Sequence, residues 1–139
     1  MMDVKIILEA GECNGFLDVC ILDQHKNVLL KPQLNLGKNE INFRCELPNR
    51  LNFILSNKNN RRDTVVDPLH GGVVRDKYIK VIDFYVDHKP LDRNRTKQMF
   101  TLFTENNGTI QSAYWGFNGN VELMMPYKSS FEFHLSNLV

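Results

Sequence analysis

The chain has 139 residues and a formal net charge of +1, from 17 basic and 16 acidic side chains. This length suits one domain with a single core, and so balanced a charge supplies no global field to attract nucleic acid or an anionic membrane. Sixteen asparagines stand against two alanines, Ala10 and Ala113; alanine is the best helix former and asparagine competes with the helix backbone, so the imbalance argues against a helix bundle or a doubly wound α/β fold.

Taken in chain order, the pattern has period two almost throughout. Val4, Ile6 and Leu8 alternate with polar or charged positions, and Asp3, Lys5 and Glu9 make the N-terminus read as a strand and not as a secretory leader. Asn14-Gly15 predicts a turn, Leu17, Val19 and Ile21 a second strand, and Asp23 to Asn27 a hairpin tip before Val28-Leu29-Leu30. Ile41, Phe43, Cys45 and Leu47 give the cleanest alternation. Pro48-Asn49 turns the chain and Leu51, Phe53 and Leu55 return, so 41–55 reads as a hairpin. In the polar stretch 56–75, Val65-Val66 and Val73-Val74 flank Gly71-Gly72 and predict a small β-ribbon. Tyr78 to Val86 reads as a long strand with Tyr78, Ile82, Phe84 and Val86 on one face and Ile79, Val81 and Tyr85 on the other, which suits a central position. Further strands are predicted at Met99 to Thr104, at Val121 to Met125 and at Phe131 to Leu135, with turns at Asn106-Asn107-Gly108 and Asn118-Gly119. The sum is an all-β, single-domain β-sandwich of jelly-roll type over 1–139, with about eight to ten strands. No apolar run approaches the roughly 18–20 residues that span a bilayer.

Few residues point to chemistry. Cys13, Cys20 and Cys45 are odd in number and form no C-x-x-C pair, so free thiols in a reducing compartment are expected. The four histidines are scattered without zinc spacing, and His70 beside Gly71-Gly72 is the one to watch. There is no G-x-S-x-G elbow and no glycine-rich phosphate loop, and no carboxylate pair stands out, so a non-catalytic protein is expected, with a hydrolase of unidentified site as an alternative. Asp63, Asp67 and Asp76, with Asn59 and Asn60 alongside, offer the oxygen ligands that calcium prefers. Arg61, Arg62, Arg75 and Lys77 stand among them, and local ion pairing is the competing reading. Tyr114-Trp115-Gly116-Phe117-Asn118-Gly119 sets three aromatics beside hydrogen-bonding Asn118. Such a run makes either a platform for a sugar or a protein, or a cover over one end of the sandwich.

The segment Asp63-Thr64-Val65-Val66-Asp67 through Gly72-Val73-Val74-Arg75-Asp76-Lys77-Tyr78-Ile79-Lys80, the Tyr114–Gly119 run and the Phe131–Leu135 strand resemble small jelly-roll modules. These are carbohydrate-binding modules, including the calcium-dependent xylan-binding type, and similar modules in structural proteins of tailed bacteriophages. The resemblance covers roughly residues 39–137. It implies a non-catalytic interaction domain. The first expectation is a bacteriophage virion component (capsid decoration, neck or tail adaptor), located in the virion, that binds neighbouring virion proteins as a homo-oligomer or part of a larger assembly. The alternative is a carbohydrate-binding module, with glycan as partner, Asp63, Asp67 and Asp76 holding calcium, and Tyr114, Trp115, Phe117 and Asn118 in contact with the ligand. The carboxylates mixed with arginines depart from the dedicated acidic loops of calcium-dependent sugar binders.

Overall fold

The computed structural model describes residues 1–46, 49–59, 62–91, 100–104, 108–111 and 114–125. Among these residues every regular element is a strand. They are β1 (Met2–Gly11), β2 (Asp18–Leu22), β3 (Val28–Leu30), β4 (Gly37–Cys45), β5 (Asn49–Ser56), β6 (Thr64–Val66), β7 (Val73–Asp76), β8 (Tyr78–Val86), β9 (Lys89–Pro90), β10 (Phe100–Thr104), β11 (Gly108–Gln111), β12 (Tyr114–Trp115) and β13 (Gly119–Met125). The count exceeds the expected eight to ten because β9, β11 and β12 are short strands that the pattern did not predict. The expected Phe131–Leu135 strand lies outside the described residues.

Two antiparallel sheets face each other. The first runs β12-β8-β1-β4, with β9 added to β8; the second runs β11-β10-β13-β5-β2-β3. Alternation decides which side chains meet between them. Met2, Val4, Ile6, Leu8 and Ala10 of β1 are buried, as are Leu51, Phe53 and Leu55 of β5 and Val121 and Leu123 of β13. They form one apolar cluster with Ile79, Val81, Phe84, Val86 and Trp115. Burying each large apolar side chain contributes about 1.5–3 kcal/mol, so this seam is the principal source of stability. The β-sandwich of jelly-roll type read from the pattern is the observed fold.

The expected hairpin over 41–55 is not formed. β4 pairs with β1 in the first sheet, whereas β5 pairs with β2 and β13 in the second. The strands are as expected; only their pairing differs. A period-two pattern records that one face is buried. It does not record whether the next strand lies beside its predecessor or across the core from it.

The faces of β8 also depart from the expected alternation. The buried set is Ile79, Val81, Phe84 and Val86. A β-bulge is the reason: Ile7 pairs with Asp83 but Leu8 pairs with Val81, so Ile82 has no partner on β1 and the parity shifts by one. β8 is nonetheless an interior strand, between β12 and β1. The small ribbon is present as expected, with Thr64 opposite Asp76 and Val65 opposite Arg75. None of the three cysteines is in a disulfide. Burial pushes the Cys45 thiol up to about 11, so it packs as a neutral core group.

Candidate functional site

One end of the sandwich gathers the asparagine-rich loops. It receives the C-terminal end of β1, the loop 12–17, the segments 57–59 and 62–63, the base of the ribbon, and the crossing 116–118 from β12 to β13. These segments are tied together by side chains. Asn14 Nδ2 donates to the Arg62 carbonyl at 2.9 Å, and Asn57 Nδ2 donates to the Phe16 carbonyl at 3.4 Å. Asn118 clamps the backbone of Lys58 from both sides: its Oδ1 accepts from Lys58 N at 2.9 Å and its Nδ2 donates to Lys58 O at 2.8 Å. Loops need such clamps because their backbone groups lack ladder partners.

Two buried lysine–aspartate pairs are built into this end. In the first, Lys77 Nζ lies 3.1 Å from Asp63 Oδ2, and both side chains are fully buried. Lys77 also donates to the Asn57 carbonyl at 2.8 Å. The Asp63 carboxylate accepts from the Asn59 backbone N–H at 2.7 Å, from Arg62 Nε at 3.1 Å and from Asn14 Nδ2 at 3.3 Å. The Asn59 bond, with those from Arg62, Lys77 and Asn14, holds the carboxyl well below the usual carboxylate range against the opposing effect of burial. In the second pair, Lys58 Nζ lies 2.6 Å from Asp76 Oδ1 and also donates to the Gly116 carbonyl at 2.6 Å. Thr64 Oγ1 donates to Asp76 Oδ1 at 2.7 Å, and Tyr114 OH donates to Asp76 Oδ2 at 2.5 Å. Burial acts to raise the Asp76 carboxyl, but the bonds from Lys58, Tyr114 and Thr64 outweigh it and leave it lowered. Burial, and then the bond to Asp76, raise the Tyr114 phenol, which therefore stays neutral and donating.

The aromatic run divides at this point. Trp115 has no exposed surface and its ring packs against Phe53 across the core, with centroids 5.3 Å apart. It covers the end of the sandwich and is withdrawn from any ligand. Tyr114 and Phe117 keep 41% and 40% of their surface exposed on either side of Trp115-Gly116. The Tyr114 ring is stacked on Tyr78 at 4.9 Å, and Tyr78 OH donates to Glu9 Oε2 at 3.1 Å. Lys58 Nζ lies 6.0 Å from the Phe117 ring centroid. A lip of two exposed rings thus rests on a floor of Asp76, Lys58 and Thr64. Gly116 is closely packed, since a Cβ there would meet Tyr114 at 3.0 Å and both Asp76 Oδ2 and Lys58 Nζ at 3.4 Å.

The three aspartates do not converge. Asp63 and Asp76 are near neighbours across the ribbon base, yet each carboxylate faces its own lysine. Asp67 sits in the ribbon turn, where its Oδ1 accepts from Leu69 N at 2.9 Å. Among the described residues no group of three or more His, Cys, Asp or Glu is placed to hold a metal ion. Arg75 leaves the aspartates and pairs with Glu12. His70 is exposed in the turn of the ribbon. The sequence did not single out Lys58, Thr64, Tyr78 or Glu9. Lys58 stands between Asn57 and Asn59 and looks like any solvated loop lysine; only the fold reveals that its side chain is 4% exposed.

No protein-family description and no curated protein sequence matches the chain. Two solved structures share its fold. One is vCBM60 in complex with galactobiose, at 10% identity and a TM-score of 0.57, covering 88% of this chain and 97% of that one. The other is the selenomethionine form of vCBM60, described as linking two families of calcium-dependent carbohydrate binding modules through circular permutation. It has 10% identity and a TM-score of 0.56, and covers 89% of this chain and 91% of that one. At this identity the likeness is one of fold: the chain has the β-sandwich of a carbohydrate-binding module.

Proposed function

We propose that the chain is a non-catalytic sugar-binding module that holds a glycan against the lip formed by Tyr114 and Phe117. The observation that carries this reading is the pair of rings, 41% and 40% exposed, fixed from beneath by Tyr78 and by the Lys58–Asp76 pair. Aromatic faces take up the apolar faces of sugar rings, and the carboxylate and amide groups beside them orient hydroxyls. A floor already locked by hydrogen bonds presents the rings without an ordering cost on binding. The likeness to a fold solved with galactobiose supports the same reading. A glycan array, followed by calorimetric titration with galactobiose and with a xylo-oligosaccharide, tests it. Phe117→Ala is expected to weaken binding by about tenfold or more with little change in melting temperature, whereas Tyr114→Ala should weaken it as much and also lower the melting temperature, because Asp76 loses a donor. A chain that binds nothing on the array would sink the proposal.

A second reading rests on the ribbon. Val65, Val66, Leu69, Val73 and Val74 are all exposed there, Leu69 at 85% and Val74 at 70%. So much apolar surface on one small element is typical of a contact with another protein. It favours a module that docks into a larger assembly, such as a bacteriophage virion, beside or instead of a sugar. Light scattering on the purified chain and cryo-EM of the parent particle address it. A monomer that is missing from any particle, and whose solubility Val74→Asp does not alter, counts against it.

A further inference from the structure

The structural neighbour belongs to a group described as calcium-dependent, so the loops of this chain must be tested as a cage for that ion. Calcium takes roughly six to eight oxygen ligands at about 2.3–2.6 Å, from carboxylates and backbone carbonyls on irregular loops. The oxygens at this end of the sandwich are of that kind, but they already face donors. Asp63 Oδ2 accepts from Asn59 N at 2.7 Å and faces Lys77 Nζ at 3.1 Å, and its Oδ1 accepts from Arg62 and Asn14. Asp76 Oδ1 accepts from Lys58 and Thr64, and its Oδ2 accepts from Tyr114. Three backbone carbonyls also point at donors: Asn57 O at Lys77, Gly116 O at Lys58 and Arg62 O at Asn14.

Charge leads to the same conclusion. Lys58 and Lys77 side chains are 4% and 0% exposed, and each ammonium lies against one carboxylate and one backbone carbonyl. A carboxylate and a carbonyl on one cation is the donor set a calcium ion would recruit. Here an ammonium holds it, and the two pairs are neutral as they stand. A divalent ion added beside them would leave two surplus positive charges in a poorly solvated place, or would have to expel a buried lysine. The described residues around these two carboxylates therefore do not fit the ion.

We propose that the ammonium groups of Lys58 and Lys77 act as built-in cations that close this end of the sandwich around Asp76 and Asp63, so that the loops are assembled without calcium. This stands apart from the sugar reading, since a chain that binds no glycan can still hold its loops in this way.

The test uses the full chain, uniformly labelled with nitrogen-15 and treated with a chelator, and the probe is calcium chloride alone. Lysine ammonium groups buried in ion pairs exchange their protons slowly, so two water-protected ammonium resonances are expected near neutral pH. They should keep their positions as calcium is added. Calcium that binds elsewhere also leaves both resonances in place and is compatible with the proposal. Saturable movement or loss of either resonance on adding calcium overturns it, because the ion then competes for the carboxylate. Absence of any protected ammonium resonance overturns it as well, because the lysines are then solvated. A sugar titration in the presence of EDTA is read separately: failure to bind sugar bears on the lip, and failure of the ammonium signals bears on the lysines.

Discussion

Replacing Lys77 by methionine is expected to lower the stability of the chain by about 3–5 kcal/mol, the cost of removing one partner from a buried ion pair. The methionine occupies similar volume, so the loss is electrostatic and not a matter of cavity. Two groups each lose a donor at once: the Asp63 carboxylate, 0% exposed, and the Asn57 carbonyl. Arg62 cannot take over, because its side chain is 61% exposed and its attraction to Asp63 is weakened by water. Converting both partners to apolar residues, Asp63→Leu with Lys77→Met, is not expected to restore stability. Asp63 also accepts from the Asn59 N–H and the Asn14 amide, and both bonds would be lost with it. Denaturant midpoints read the effect, provided the slope m is unchanged; a loss below about 1 kcal/mol contradicts it.

The same carboxylates set the acid edge of stability. Asp63 and Asp76 both titrate lower in the folded chain than in the unfolded one. Their contribution is therefore fully present above the unfolded carboxylate value, about 3.9, and disappears as pH falls through the folded values. Stability should be level above about pH 5 and decline below about pH 4. On the alkaline side, Cys45 titrates near 11 in the fold. Its contribution is complete below the free thiol value of about 8.5 and is lost as pH climbs toward the folded value.

How much of this was legible in the sequence depends on how local each signal is. The strands of β1, β2, β4 and β5 follow from alternation, and the ribbon follows from Gly71-Gly72 between valine pairs, because those signals lie within a few residues. The pairing of β4 with β1 does not, since β2 and β3 lie between them in the chain and either sheet accepts the same pattern. The bulge at Ile82 was equally hidden. One unpaired residue reverses the parity of a strand, and Ile82 is as apolar as the buried Ile79 and Val81. In the site, the aromatic run was visible but its division was not: Tyr114 and Phe117 outward, Trp115 inward. The carboxylates were visible as candidate ligands, and the nearby basic residues as possible partners. Which of them pair is fixed by the fold. Lys77 is taken by Asp63 and Lys58 by Asp76, whereas Arg75, next to Asp76 in sequence, goes to Glu12.

Gly11→Ala is expected to damage both the fold and the lip, although it adds one methyl group. Gly11 lies opposite Tyr78 on the neighbouring strand, and the tyrosine ring covers it. A Cβ at Gly11 would stand 2.1 and 2.3 Å from two ring carbons of Tyr78 and 2.8 Å from the Asp76 carbonyl oxygen. The ring cannot simply swing aside, because it is stacked on Tyr114 and its hydroxyl is held by Glu9. The carbonyl belongs to the backbone at the ribbon base and yields only with the strand. Overpacking of this kind costs typically 1–3 kcal/mol, and two rigid obstacles place this case near about 3 kcal/mol. The displaced Tyr78 should carry Tyr114 with it, so sugar affinity should fall further than the loss of folded protein accounts for. Gly72→Ala provides the control. No atom lies within 4 Å of its added Cβ, and a change within about 0.5 kcal/mol is expected. Chemical denaturation of the two variants, with the double variant Gly11→Ala/Tyr78→Ala, separates the obstacles. If the ring is the main one, Gly11→Ala costs little once Tyr78 is shortened, and what remains is the clash with the Asp76 carbonyl. A Gly11→Ala chain as stable as the parent would mean that Tyr78 is not held where Glu9 and Tyr114 place it.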